Sequence, residues 1–174
     1  MKKFQFLLFL FLFPLLLLSQ NTISKSVVQK IIKDSKAEKK NGSITLNSIK
    51  SWKFNNVDSL YFKSDTLIAI QNKMNTKEPF CELIDWTFYR KNSFILGNAS
   101  YCKEPPSRFV TKYPEDYFTI AVYQVENETM IDMLRNDKMI IDSFHVIEIE
   151  NNDEFVKIKL VRRFIPGPFN KFIR

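Results

Sequence analysis

The chain holds few side chains that could do chemistry. It has one histidine, His145, and two cysteines, Cys81 and Cys102. Carboxylates lie close together at Glu115 and Asp116, at Glu148 and Glu150, and at Asp153 and Glu154. Two carboxylates facing each other across a cleft would suit glycoside hydrolysis. These pairs fall instead at a strand start, on a strand's outer face and in a turn, where charge is expected in any case. His145 falls on the buried face of the last hairpin, so a core or edge histidine is expected rather than a catalytic or ligand-binding one. A single histidine excludes most histidine-based zinc sites and triads. No glycine-rich phosphate loop, nucleophile elbow or metal-loop spacing occurs, and the chain has only three glycines. No cofactor and no metal is implied, and the chain reads as non-enzymatic, a hydrolase being the least favoured reading.

Two cysteines in an exported chain favour a disulfide between Cys81 and Cys102. There is no CxxC motif to support a redox or metal site instead. Closing a loop of about twenty residues stabilises a fold by about 3 kcal/mol in the chain-entropy model.

Export itself is read from the N-terminus. An apolar run from Phe6 to Leu18 lies between Lys2-Lys3 and Ser19-Gln20-Asn21, the charged and apolar regions of a secretory signal peptide. Even counted from Phe4 the run reaches only roughly 22 Å at ~1.5 Å per residue. That is short of a hydrocarbon core, and Pro14 interrupts it. Residues 1–20 are therefore expected to be a signal peptide. The working protein would begin near Gln20 or Asn21 and reside in the periplasm, the outer envelope or outside the cell. An uncleaved anchor is the alternative, because Leu17 or Leu18 stands where the cleavage site prefers a small residue.

The formal net charge is +7, of which Lys2 and Lys3 contribute two. Much of the remaining excess sits before the first strand, from Lys25 to Lys40, and at the end, in Arg162, Arg163, Lys171 and Arg174. A basic balance can mark nucleic-acid binding. The chain lacks the glycine-and-aromatic signature of RNA-binding domains, and its address is wrong for nucleic acid, so the charge reads as solubility. Sequons at Asn41, Asn98 and Asn127 would be glycosylated in a eukaryotic secretory path, but in a chain this rich in asparagine chance matches are expected and the three are uninformative.

Four segments follow. Residues 1–20 are the signal and 21–42 a basic amphipathic helix. Residues 43–165 form one antiparallel β-domain and 166–174 a tail. Ile23, Val27, Val28, Ile31 and Ile32 recur at helical spacing and predict a helix over 23–40, stopped at Asn41-Gly42. Its stripe lacks an aromatic anchor, so packing on the domain is favoured over contact with a membrane surface. From Ile44 the period becomes two. Strands are predicted at 44–54, 59–63, 66–72, 80–90, 93–102, 107–112, 116–125, 140–150 and 155–163, with 129–135 open between strand and helix. The tail, with Phe169, Phe172 and Ile173, would cover a sheet edge or insert into a protein partner.

Two hairpins can be registered. A two-residue loop at Lys91-Asn92 sets Trp86 opposite Gly97, Phe88 opposite Ile95, Ile84 opposite Ala99, and Cys81 directly opposite Cys102. Such a non-hydrogen-bonded pair has Cα atoms about 4.5 Å apart, within the disulfide range of roughly 4.4–6.8 Å. A turn at Asn152-Asp153 gives His145, Ile147 and Ile149 one face with Val156, Ile158 and Leu160, and sets Glu148 opposite Lys157.

The order of parts resembles the lipocalin-like exported proteins of the calycin group. A helix precedes a strand bearing Trp52 in Ser51-Trp52-Lys53-Phe54. A run of hairpins follows, including Cys81-Glu82-Leu83-Ile84-Asp85-Trp86-Thr87-Phe88, and the last strand ends in the basic pair Arg162-Arg163. Lipocalins carry an early Gly-x-Trp at the barrel's closed end and a late arginine packed across that tryptophan. Here Lys50 stands at the glycine position, and Arg162 or Arg163 fills the late one. The resemblance implies an up-and-down or half-open barrel around an apolar cavity and a small apolar molecule as partner. Trp52, Phe54, Trp86, Phe88, Phe118, Ile120 and Val122 are the expected inward residues. Of these, Trp52, Trp86, Phe88 and Phe118 are the candidate ligand contacts, with a packed core as the competing reading. The alternative function is an envelope or extracellular protein-interaction module using the N-terminal helix or the tail.

Overall fold

The computed structural model describes residues 22–163 apart from 41, 47, 75, 76, 103 and 110, so the expected signal peptide and the tail lie outside the described residues. Helix α1 (Lys25–Asp34) comes first, capped by the Ser24 hydroxyl, which accepts the Val27 N–H. A small hairpin of β1 (Lys39–Lys40) and β2 (Ser43–Ile44) follows, turning at Gly42 with φ 79°, a conformation glycine adopts without strain. The barrel strands are β3 (Trp52–Asn55), β4 (Thr66–Asn72), β5 (Glu82–Arg90), β6 (Ser93–Ser100), β8 (Tyr117–Val125), β9 (Glu128–Leu134), β10 (Ile140–Asn151) and β11 (Phe155–Arg162). The two-residue β7 (Ser107–Arg108) pairs with the end of β6.

The eight longer strands close into an antiparallel barrel, since β5 pairs with both β3 and β6. The mainly-β barrel expected from the alternating pattern is therefore present, and it is closed. From β5 to β11 its strands follow one another as a meander. The first hairpin is inserted in reversed order: β4 pairs with β11, and β3 lies between β4 and β5. Consequently β4 and β5 run in the same direction, and Glu78, from the returning segment between them, lies on the outer wall. Lys53 marks that path. It alternates with the core residues Trp52 and Phe54 and so faces outward, yet it is buried, its Nζ 2.6 Å from Glu78 of the returning segment.

The interior is one apolar cluster of Trp52, Phe54, Trp86, Phe88, Phe94, Phe118 and Phe144 with aliphatic residues from the other strands, among them Leu67, Ile84, Ile120, Ile131, Val146 and Leu160, and Val28, Ile31 and Ile32 of α1 enter it from one mouth. At the other mouth the helical turn Leu60–Lys63 drives in Tyr61. An eight-stranded barrel has an interior just wide enough for side chains to fill.

Several local expectations are corrected. The helix ends at Asp34 and not near residue 40, because Ser35 turns inward and Ala37 N–H instead bonds the Phe88 carbonyl of β5. The long strand 44–54 is only Ser43–Ile44 and Trp52–Asn55, and 107–112 is only Ser107–Arg108. The expected strand 59–63 is helical, with Tyr61 its one buried residue. The open segment 129–135 is strand β9.

Both registers shift through bulges. Arg90 does pair with Ser93, but an irregularity at Tyr89 then sets Phe88 opposite Phe94, Trp86 opposite Leu96 and Asp85 opposite Gly97. This lets Phe88 and Phe94, both fully buried, face inward together, whereas the expected register would have turned Phe94 out. In the last hairpin, Glu150 opposes Lys157 and Glu148 opposes Lys159, with a shift at Ile147. The shift turns Phe144 and Val146 inward and leaves Ile147 exposed and His145 half-buried.

Candidate functional site

The four residues expected to face a ligand are brought together. Trp52 and Trp86 stack with centroids 6.0 Å apart, Phe88 meets Trp52 edge-on at 5.2 Å, and Phe94 bridges Trp86 at 4.5 Å to Phe118 at 5.6 Å. Trp52, Trp86 and Phe88 are wholly buried and Phe118 nearly so. Their partners are one another, which is how an aromatic core gains energy beyond its buried area.

Each tryptophan is also tied to a different end of the barrel. Trp52 Nε1 donates to Ser35 Oγ at 2.8 Å, at the end of α1, and Ser35 Oγ donates to Ile31 O at 2.7 Å and lies 3.2 Å from Gln71 Oε1. Trp86 Nε1 donates to Tyr61 OH at 3.0 Å, in the opposite plug. That second mouth is closed by Arg162. Its Nε donates to both Asp142 oxygens, at 2.9 and 3.1 Å, and its other nitrogens donate to the carbonyls of Ser64 and Tyr61. The guanidinium sits over the Tyr61 and Phe144 rings at 5.8 and 5.5 Å. Of the terminal arginine pair, then, Arg162 is the one that points in. It covers Tyr61 and Phe144, not Trp52, which belongs to the other mouth. Burial raises the carboxyl pKa of Asp142, with Arg162 pulling it back down.

A polar cluster on the outer wall was invisible in the sequence. Asp85 is fully buried, 2.7 Å from Arg108 Nη2 and within 2.6 Å of the Thr87 hydroxyl, which also meets Ser51 at 2.9 Å. Burial raises the Asp85 pKa, with Arg108 the main opposing influence. Gly97 lies opposite Asp85, and a Cβ there would collide with the Asp85 carboxylate and the Arg108 guanidinium. The only sequence signal was a glycine inside a strand, a mark of close approach.

The carboxylate pairs do not converge on a cleft. Glu148 and Glu150 face Lys157 and Lys159 on the outer wall, and Asp116 accepts the Lys112 N–H. His145 lies on the outer face with Nδ1 3.9 Å from Glu128 Oε2, beside a groove of ≈ 460 Å³ shared with Thr22 and Ile23. Among the described residues no group of three or more His, Cys, Asp or Glu is placed to hold a metal. Cys81 and Cys102 form the expected disulfide, Cα atoms 5.1 Å apart. The bulge makes their relation diagonal, since Cys81 O accepts from Tyr101 N. Such a bond belongs to an oxidising, non-cytoplasmic compartment.

A second groove, of ≈ 290 Å³, opens at the α1 mouth. Ile31, Ile49 and Val156 supply its apolar wall, Gln71, Asn72 and Asn151 its amides, and Lys30, Lys50, Lys73 and Asp34 its charges. Neither the helix period nor the strand alternation could have shown it, because it forms where α1 crosses the ends of β4, β10 and β11. Comparison with known proteins finds no matching family model, no matching curated protein and no matching solved structure.

Proposed function

We propose that this chain is an exported, non-enzymatic, lipocalin-like binding module whose small ligand sits at the barrel rim, in the groove beside α1. The observation that carries this is the contrast between a ring-filled interior plugged at both mouths and an open groove with the apolar wall Ile31, Ile49 and Val156. A ligand inside the barrel would have to displace α1 or the Trp52–Trp86 stack, and both are tied by hydrogen bonds. Export is supported by the charged and apolar pattern of residues 1–20 and by the disulfide. The lipocalin likeness is supported by the closed antiparallel barrel, the helix at one mouth and the inward arginine of the last strand. The reversed first hairpin separates the chain from a plain up-and-down barrel.

A protein partner is the second reading, favoured by Phe109 and Tyr113, exposed at 71% and 75% in the segment between Cys102 and β8. Mass spectrometry of the exported protein, native and then denatured, tests both. The denatured mass fixes the cleavage site, and a deficit of about 2 Da reports the disulfide. An extra mass in the native spectrum that Ile49→Glu abolishes supports the groove. An extra mass that Ile49→Glu retains places the ligand elsewhere, and a bare folded monomer favours the partner.

A further inference from the structure

We infer that the groove beside α1 takes a small oxyanion, a phosphate ester or a carboxylate, held by lysine ammoniums and by carboxamide donors that line its wall. This rests on reading that groove as the ligand site. Asn72 is only 8% exposed and lines the groove, yet its carboxamide makes no hydrogen bond among the described residues. Gln71, 7% exposed, meets Ser35 Oγ through its Oε1, and its two N–H donors find no acceptor among the described residues. Neither carboxamide is among the buried atoms left without a partner, so both open onto the groove, where their N–H groups are free to donate to an acceptor from outside the chain.

The charges agree with that acceptor being negative. Lys30 has no carboxylate within ion-pair reach among the described residues, and Lys73 Nζ donates only to the backbone carbonyl of Asn152. Lys50 is partly neutralised by Glu38, 2.9 Å away. Asp34 is the opposing charge in the lining. Three cations therefore face two carboxylates, a modest positive excess concentrated at Lys30 and Lys73. The volume of ≈ 290 Å³ admits a small molecule or a single head group and excludes a folded partner. Ile31, Ile49 and Val156 would receive the ligand's carbon skeleton.

The same anion could arrive free or on a lipid, so the test has both arms. The exported full-length mature protein is titrated calorimetrically with glycerol 3-phosphate and with lactate, and separately mixed with phosphatidylglycerol or phosphatidylcholine vesicles. Saturable binding of a free anion identifies a soluble ligand. Binding confined to phosphatidylglycerol vesicles identifies a head group, and either result is expected to weaken at least tenfold in Lys73→Gln and in Asn72→Leu. Lys30→Gln, at an exposed position, carries the same expectation if Asn72→Leu does not fold. Lys33→Gln, on α1 but outside the groove, should bind as the parent does. No binding of any of these anions overturns the inference, as does an equal loss in Lys33→Gln. If the native spectrum shows a neutral ligand that Ile49→Glu abolishes while no anion binds, the groove stands and only its anionic chemistry fails.

Discussion

Trp52 and Trp86 are direct cross-strand partners, stacked at 14° between their planes, yet their indole N–H groups bond to opposite ends of the barrel. One reaches Ser35 beneath α1 and the other reaches Tyr61 beneath Arg162. The centre of the core thus holds both plugs in place, and a change at either hydroxyl is felt at the middle.

Tyr61→Phe should lower stability by about 1–3 kcal/mol, because it leaves the buried Trp86 N–H without an acceptor while barely changing volume. Ser35→Ala should do the same to Trp52. Urea unfolding measures both, and a loss below a few tenths of a kcal/mol in each would overturn the tie between core and plugs.

Gly97→Ala should cost about 1–3 kcal/mol, since the added methyl meets the Asp85–Arg108 pair and a packed wall has little room to relax. The cost should shrink in part when Arg108→Ala is already present, because the Asp85 carboxylate, the nearer of the two groups, remains. A double-mutant cycle over these two positions is the measurement, and strict additivity would show that the Arg108 guanidinium takes no part in the collision.

The buried carboxyls should give a characteristic pH response. Burial raises the Asp85 pKa, with Arg108 opposing, so the folded state keeps this proton to a higher pH than the unfolded chain. From the ordinary aspartate value up to the raised one, folding binds protons, and stability falls as pH rises. The difference in melting temperature between the parent and Asp85→Asn should therefore move against the parent as pH rises through that window. A difference independent of pH would contradict it. Asp142, also raised by burial, should behave alike in Asp142→Asn.

Reducing the Cys81–Cys102 bond should cost about 3 kcal/mol without unfolding the barrel at room temperature. The bond joins the start of β5 to the segment after β6, where ladder hydrogen bonds already hold the strands. Circular dichroism and urea titration with and without reductant would check this.

Much of the fold was legible from period alone. Strand β4 was read at its observed bounds, 66–72, five of the other barrel strands within about two residues, and β9 was placed but left open between strand and helix. The expected registers fail where one extra residue enters a strand. Nothing in Tyr89 or Ile147 announces a bulge, and each flips the faces beyond it, so Gly97, Phe94 and His145 all changed sides. The disulfide survived because cysteines one residue out of register still meet. The candidate ligand contacts were legible as inward residues, but not as a ring cluster closed on itself, since the filling depends on both plugs. Tyr61 was hidden by a five-residue pattern that suits strand or helix equally. The groove combines α1 with three distant strand ends, and no local pattern encodes it.

The reversed first hairpin has a kinetic consequence. Strands β5 to β11 pair with their chain neighbours and can assemble progressively as a curved sheet. The barrel closes along a second seam only when β3 and β4 wedge between β11 and β5, pairing Leu67 with Leu160 across most of the chain. Long-range pairing of this kind slows folding, because loop entropy is lost before the contacts form. Closure should be the late, rate-limiting event, and until it occurs the two open edges offer unpaired backbone to other chains.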